Sequence, residues 1–344
     1  MSLVEIRKYM QQALFYERLE DMKVKCLLCP HECLLSEGKI GVCRVRKNIS
    51  GELYALNDGI ISSANLDPIE KKPLYHFYPG SLIFSIGSYG CNMHCRFCQN
   101  WEISQPTDNI FSLRPIVPAS EIIKAALNHK ENIGIAYTYN EPIVSYEYVI
   151  KMATLAKEKG LKNVMVSNGF INQEPLLRIL PLIDAWNIDL KAFDESFYKR
   201  LTGAQLAPVL ETLKTVRKSK AHLEITTLVI PNENDEASKF KKMVNWLADE
   251  LGEDTILHLS RYFPRYHHQS TITPAHKLVE FYNIARQRLY WTYVGNIELD
   301  IGNNSICPKC KNIVVWRKGY HTAAKGLDES GNCRFCKTSL PFVV

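Results

Sequence analysis

The chain has 344 residues, and none of its stretches reaches the roughly 18 consecutive apolar residues that a membrane-spanning helix requires, so no membrane segment is expected. The first ten residues include Glu5, Arg7 and Lys8 and lack an apolar core segment, so no secretory signal is expected and the cytoplasm is the predicted compartment. There is no internal repeat and no low-complexity tract. Hydrophobic residues make up 46% and charged residues 23% of the chain, which is ordinary for a globular protein. No strong excess of charge of either sign is present either. The formal charge is +6 with neutral thiols. Cysteines that bind metal do so as thiolates, and counting all of this chain's cysteines that way in metal sites leaves roughly +1. A nearly neutral loaded protein argues against a nucleic-acid partner.

What is plentiful is cysteine. Eleven cysteines fall in three tight groups: Cys26, Cys29, Cys33 and Cys43; Cys91, Cys95 and Cys98; Cys307, Cys310, Cys333 and Cys336. None is left over. Separations of two or three residues are too short for ordinary structural disulfides and suit ligation of a single metal centre.

The groups divide the chain into three predicted regions: a Cys-rich N-terminal extension (1–75), a barrel (76–298) and a Cys-rich tail (299–344). The extension reads as a helix over Leu3–Arg18 followed by irregular turns. The middle region alternates short apolar strands with amphipathic helices. The strands are expected at Leu82–Gly87, Gly134–Tyr137, Asn163–Ser167, Ala185–Leu190, Leu223–Ile230 and Ile256–Ser260, with an edge strand at Thr292–Gly295. Helical spacing occurs at Ala119–Leu127, Val144–Lys159, Glu174–Leu180, Ala207–Lys218, Glu236–Leu251 and His276–Arg288. This pattern predicts an α/β fold with a parallel sheet: a partial (βα)6 TIM-like barrel whose chemistry sits at the C-terminal ends of the strands.

Directly after the first barrel strand comes Gly90-Cys91-Asn92-Met93-His94-Cys95-Arg96-Phe97-Cys98-Gln99-Asn100. Three thiolates can hold three irons of a [4Fe–4S] cluster and leave the fourth open to a chelating ligand. An ordinary ferredoxin site needs a fourth cysteine nearby, and none occurs between Cys98 and Cys307. Zinc on these three with His94 is the competing reading, but the spacing is too tight for a typical finger.

C-x3-C-x2-C with Phe97 before the last cysteine resembles the signature of the radical S-adenosylmethionine (SAM) superfamily. The fuller string resembles the branch that includes pyruvate formate-lyase activating enzyme. Cys26-x2-Cys29-Pro30-His31-x-Cys33, Asp67-Pro68-Ile69-Glu70-Lys71-Lys72-Pro73-Leu74, Tyr137-Thr138-Tyr139-Asn140-Glu141-Pro142, Asn168-Gly169, Asp189-Leu190-Lys191 and Val294-Gly295-Asn296 extend the likeness to AmmeMemoRadiSam-system radical SAM enzymes. The resemblance implies a radical SAM barrel whose [4Fe–4S] cluster, held by Cys91, Cys95 and Cys98, reductively cleaves SAM to a 5′-deoxyadenosyl radical that abstracts hydrogen. It implies a reductant such as flavodoxin or ferredoxin. It gives SAM-binding roles to Glu141 (ammonium), Ser167 and Asn168 (ribose and carboxylate), Lys191 (carboxylate) and Asp189 (a ribose hydroxyl or a cation), with Val229-Ile230-Pro231 as an adenine shelf. Two departures stand out. Val166-Ser167-Asn168-Gly169 stands where that branch has Asp-Thr-Asn-Gly, so Val166 replaces the acid, which removes a carboxylate from a monovalent-cation site. Leu259-Ser260-Arg261 replaces a His-bearing string after the sixth strand.

The C-terminal pairs Cys307-x2-Cys310 and Cys333-x2-Cys336 match a zinc-ribbon or rubredoxin-like site, with structural zinc favoured over iron or an auxiliary cluster. The N-terminal four, with His31 as a substitute ligand and Gly38 and Gly41 in tight turns, suit zinc or a second iron–sulfur cluster. His267 and His268 read as loop residues, and Asp67–Leu74 as a polar loop under the barrel. The function these features predict is a radical SAM oxidoreductase, either an activase of a glycyl-radical enzyme or an enzyme acting on a small molecule or another macromolecule. The competitors from other classes are an iron–sulfur electron carrier without SAM chemistry and a zinc-ribbon nucleic-acid binder. The substrate itself is not legible.

Overall fold

The computed structural model describes residues 11–107, 110–112 and 114–344. Among them one large sheet has eight strands: β1 (Ser63–Pro68), β2 (Leu82–Gly87), β3 (Asn132–Tyr137), β4 (Lys162–Ser167), β5 (Ala185–Asp189), β6 (His222–Val229), β7 (Ile256–Arg261) and β8 (Trp291–Gly295). They lie side by side in chain order. β2 to β8 run parallel, and β1 pairs antiparallel with β2. The six crossovers carry the helices α1 (Ala119–Leu127), α2 (Tyr146–Glu158), α3 (Gln173–Ile179), α4 (Leu206–Arg217), α5 (Ala237–Leu251) and α6 (Ala275–Ala285). β1 and β8 are opposite edges of the sheet, so the barrel is partial. The parallel strands are apolar almost throughout because helices cover their outer face; in β2, Ile83 to Gly87 are all buried.

The sequence reading differs from this in two places. Leu3–Arg18 is not one helix. Residues 1–10 lie outside the described set, while Gln11–Gln12 and Tyr16–Arg18 are strands paired with Glu52–Ala55 and Val24–Cys26. These belong to two small three-stranded sheets in a region expected to be irregular. The second difference is β1, which adds to the barrel sheet a strand from that same region. Its edge position and polar sequence, Ser63 to Pro68, hide it from an apolar pattern.

The N-terminal sheets are fastened to the barrel. Buried Arg46 donates to Glu147 at the start of α2 (2.5 Å) and to the Leu14 carbonyl (3.0 Å), and Glu147 also accepts the Leu14 N–H (2.7 Å). At the other end of the strands the chain from Lys72 to Tyr78 crosses beneath the barrel. Asn187 holds the Pro73 carbonyl (2.8 Å). Glu224 accepts the backbone N–H groups of Tyr75 (3.0 Å) and His76 (2.7 Å), and the side chains of His222 (2.9 Å) and His258 (2.5 Å). Burial alone pushes the Glu224 carboxyl up, but the two histidines outweigh it and hold it well below the usual range.

The tail packs under this floor as a three-stranded antiparallel sheet, Ser305–Ile306, Ile313–Lys318 and His321–Ala323. Its Val314, Val315, Leu327, Leu340 and Phe342 share a cluster with Ile256, Trp291 and Tyr293 of the barrel. Arg317 reaches the Tyr75 carbonyl (2.5 Å) and lies over the Tyr75 ring. The tail therefore does not depend on metal for all of its packing.

Candidate active site

Cys91, Cys95 and Cys98 lie in the loop after β2, at the C-terminal ends of the strands. The loop is shaped by bonds that do not use the thiols. Gly90 donates to the Ile103 carbonyl (2.8 Å), His94 to that of Thr202 (2.7 Å) and Arg96 to that of Leu201 (2.9 Å). Asn140 holds the Gly90 carbonyl (2.9 Å) and accepts the Ser88 N–H (3.0 Å).

The N-terminal extension braces the same loop. His31 bonds the Asn92 carbonyl (2.7 Å), and His94 bonds the Val42 carbonyl (2.9 Å), which directs the His94 ring to the extension and away from the role of fourth zinc ligand. Gly90 has φ +93°, and a Cβ there would stand 2.5 Å from Val45 Cγ1 and 2.7 Å from the Cys43 carbonyl oxygen. Gly90→Ala is thus expected to lower stability by about 1–3 kcal/mol, from backbone strain and overpacking, and to loosen the cysteine loop. Denaturant unfolding measures this; an unchanged midpoint would show that the two parts separate freely.

The three thiols open on a cavity of about 670 Å3, a volume suited to enclosing a drug-sized ligand. Glu141, Ser167, Asn168, Asp189 and Lys191 line the same cavity. These positions follow β3, β4 and β5 or end them, as barrel topology requires. Glu141 is buried. Its Oε1 accepts from Ile143 N (3.1 Å) and Ser167 Oγ (2.8 Å), and its Oε2 from Asn168 N (2.7 Å). Two bonds fill Oε1, whereas Oε2 keeps one lone pair. Burial pushes the Glu141 carboxyl up to about 7 despite these donors. Asn168 donates to Asn92 Oδ1 (2.9 Å) and approaches Cys91 Sγ (3.7 Å). Lys191 pairs with Asp189 (2.8 Å); burial works against its charge, but Asp189 and Cys95 outweigh burial and raise it.

Burial pushes the Cys95 thiol up to about 12 and Cys91 well above its ordinary value. Thiolates there need a cationic centre to hold them, and three of them facing one cavity fit a [4Fe–4S] cluster with an accessible fourth iron. Val229 and Ile230 are fully buried in the barrel core and do not line the cavity, so the adenine shelf expected of them is not where they lie; Leu228 lines it instead. The cavity also takes in Lys71, Lys72, Asn100, Tyr139, Ser260, Asn296 and Tyr320, none of which had a role in the sequence reading. The string Asp67–Leu74 was the one available signal for the two lysines.

Elsewhere, Cys26, Cys29, Cys33 and Cys43 line a small cavity with His31 and Gly41. In the tail, the sulfurs of Cys307, Cys310, Cys333 and Cys336 all lie within 4.8 Å of one another, an arrangement that could hold a metal ion. His267 and His268 lie in a loop, with the His267 N–H on the Arg96 carbonyl (2.9 Å).

Residues 85–246, from β2 through most of α5, match the family described as the Radical SAM superfamily. The chain belongs to the radical SAM superfamily. It is an enzyme of radical chemistry, and the superfamily implies SAM and a [4Fe–4S] cluster as its cofactors. An uncharacterized protein of Methanocaldococcus jannaschii is 41% identical over 339 residues, 97% of this chain and 100% of that one. The pyruvate formate-lyase-activating enzyme of Listeria monocytogenes is 23% identical over 174 residues, 46% of this chain and 67% of that one. The (2S)-3-sulfopropanediol dehydratase activating enzyme of Klebsiella oxytoca is 24% identical over 119 residues, 35% of this chain and 38% of that one. Among solved structures, a domain of a pyruvate-formate lyase-activating enzyme from Bacteroides vulgatus overlaps 47% of this radical SAM chain and 99% of its own, with a TM-score of 0.42 and 16% identity. Among the described residues no helix is long and apolar enough to cross a membrane.

Proposed function

We propose that Cys91, Cys95 and Cys98 hold the cluster, and that the residues around the same cavity bind SAM and present a substrate for hydrogen abstraction. The observation that carries this reading is the convergence of the three thiols with Glu141, Ser167, Asn168, Asp189 and Lys191 on one cavity. Held by Cys91, Cys95 and Cys98, the cluster would pass on the reductant's electron for cleavage of a carbon–sulfur bond of SAM to methionine and a 5′-deoxyadenosyl radical, which would take hydrogen from the substrate. The chain's part is to bind, orient and exclude water. The free lone pair of Glu141 Oε2 suits the SAM ammonium group, and the unused donors of Lys191 suit its carboxylate. Asp189, Ser167 and Asn168 suit the ribose and carboxylate oxygens. The test is anaerobic incubation of the reconstituted protein with SAM and dithionite: 5′-deoxyadenosine is expected, and its absence with an intact cluster would overturn the reading.

Glu141→Gln and Lys191→Met are each expected to weaken SAM binding by about 1.5–3 kcal/mol, roughly ten- to a hundredfold, with the cluster retained. Titration with SAM reads this directly, and unchanged affinity in both variants would mean that SAM binds elsewhere.

Two substrate readings follow. Activation of a glycyl-radical enzyme is supported by the two activating enzymes that resemble part of the chain. Action on a small molecule is supported by the floor of the cavity, where the segment beneath the barrel brings Lys72 and Pro73 against its lining. The open cavity beside the cysteines argues against a plain electron carrier. In the tail, four sulfurs at about 2.3 Å from one tetrahedral centre would stand about 3.8 Å apart. Cys307 and Cys336 are 3.7 Å apart and Cys310 and Cys333 3.6 Å apart, which supports one zinc ion over a cluster whose irons would spread the ligands. For the N-terminal four, zinc and a second cluster remain alternatives that metal analysis separates. The electron would come from a reductant such as flavodoxin or ferredoxin.

A further inference from the structure

At the floor of the cavity two lysines share one carboxylate. Asp67, buried at the end of β1, accepts from Lys71 Nζ (2.7 Å), Lys72 Nζ (2.6 Å) and the Tyr139 hydroxyl (2.5 Å). Lys72 is buried and Lys71 half-exposed, and both line the cavity that holds the cysteines. The Lys72 ammonium has three donors. One goes to Asp67, its acceptor among the described residues, and one side of the group faces the Tyr139 ring at 4.7 Å. Two ammonium groups against one carboxylate leave one unit of positive charge facing the cavity.

A purely structural account of this cluster is weak. A buried ion pair adds little net stability, because desolvation offsets the attraction. Burial pushes Lys72 down to about 8 even with Asp67 beside it. Tyr139 is also held at φ +70°, a conformation that bulky side chains rarely adopt. In that conformation its carbonyl takes the Asn100 side-chain N–H (2.7 Å), just beyond the cysteine loop, while its hydroxyl reaches Asp67. One strained residue thus ties the cysteine end of the cavity to its floor.

We propose that Lys72, assisted by Lys71, binds a carboxylate group of a small-molecule substrate. The inference rests on the small-molecule reading above and specifies its substrate class. A single surplus positive charge beside a resident carboxylate matches a monoanion. A phosphate dianion would meet Asp67 with an unbalanced negative charge, and among the described residues no arginine lines the cavity to grip it. The register sets the spacing between this subsite and the cysteine loop. Asp67 pairs with Ile83 near the start of β2, and the cysteine loop begins after Gly87. Four residues of strand span about 13 Å, which separates the level of Asp67 from the start of the cysteine loop.

The test uses the full-length, reconstituted, SAM-loaded enzyme and titrates hexanoate, its uncharged analogue hexanamide, and inorganic phosphate by calorimetry at constant salt. Hexanoate is expected to bind at least tenfold more tightly than hexanamide. Lys72→Met should erase that difference. Lys71→Met, at a half-exposed position where folding is not at stake, should reduce it about threefold. Asp67→Asn should weaken hexanoate less than Lys72→Met does, because the bound carboxylate takes the place of Asp67 as the partner that keeps Lys72 charged. If the wild type does not distinguish hexanoate from hexanamide, the proposal fails. It also fails if Asp67→Asn weakens hexanoate as much as Lys72→Met does, which is the mark of a structural brace, or if phosphate binds more tightly than hexanoate. Formation of 5′-deoxyadenosine is measured on the same samples. Its loss in the wild type would sink the SAM reading, whereas the hexanoate results bear on the subsite alone.

Discussion

Alanine in place of Cys91, Cys95 or Cys98 is expected to reduce 5′-deoxyadenosine formation to background while the protein stays folded. Each thiolate would hold one iron, and three is the minimum that anchors a cluster with an accessible fourth iron. The loop that carries them is kept in shape by backbone bonds to Ile103, Leu201 and Thr202 and by Asn140, none of which involves sulfur. At positions 91 and 95 burial opposes ionisation of the thiol in the metal-free protein. Iron and sulfide analysis should fall with the activity, and circular dichroism should not change. Undiminished SAM cleavage by any one of the three variants would refute the assignment of the cluster to this loop.

The second large effect is expected in the tail. If Cys307, Cys310, Cys333 and Cys336 hold a structural metal, as proposed, its chelation should expose the segment 307–336 to proteases and lower the melting temperature, while leaving the [4Fe–4S] absorbance and SAM cleavage in place. In isolated zinc-finger peptides, metal binding of this type contributes about 10–16 kcal/mol at neutral pH. The loss here should be smaller, because Val314, Val315, Leu327, Leu340 and Phe342 remain packed on Ile256, Trp291 and Tyr293. The separation of effects follows from topology: the tail core packs on the N-terminal ends of the strands and the cysteine loop sits at the opposite ends, with Tyr320 reaching the cavity from the tail. Anomalous scattering at the zinc and iron edges identifies the metal. Four irons at the tail cysteines, or loss of the cluster on chelation, would contradict a structural zinc there.

Much of the barrel could be read from the chain because its strands are buried on both faces and its helices on one. A strand such as Leu82–Gly87 is a continuous apolar run, and a helix such as Ala119–Leu127 shows apolar residues at helical spacing; both agree with the structure to the residue. β1 was missed because an edge strand with Asn65, Asp67 and Pro68 has neither signature. Leu3–Arg18 was misread because the pairing that makes Gln11–Gln12 and Tyr16–Arg18 strands comes from residues 52–55 and 24–26, and such partners override local propensity. The core of the tail is shared with the barrel.

Residue identity and short spacing were enough to point to metal chemistry. Ligand atoms within one loop are brought together by the chain that connects them, so three cysteines within eight residues, and two C-x2-C pairs, point to metal without a fold. Whatever depends on distant partners came from the tertiary structure alone. Glu141 meets Ser167 and Asn168 across 26 and 27 residues, Tyr139 meets Asp67 across 72, and Glu224 gathers His76 across 148. No local pattern encodes these meetings. They arise because parallel strands set side by side align their ends, and because a segment crossing beneath the barrel brings Lys72 from outside the βα repeat to the floor of the same cavity.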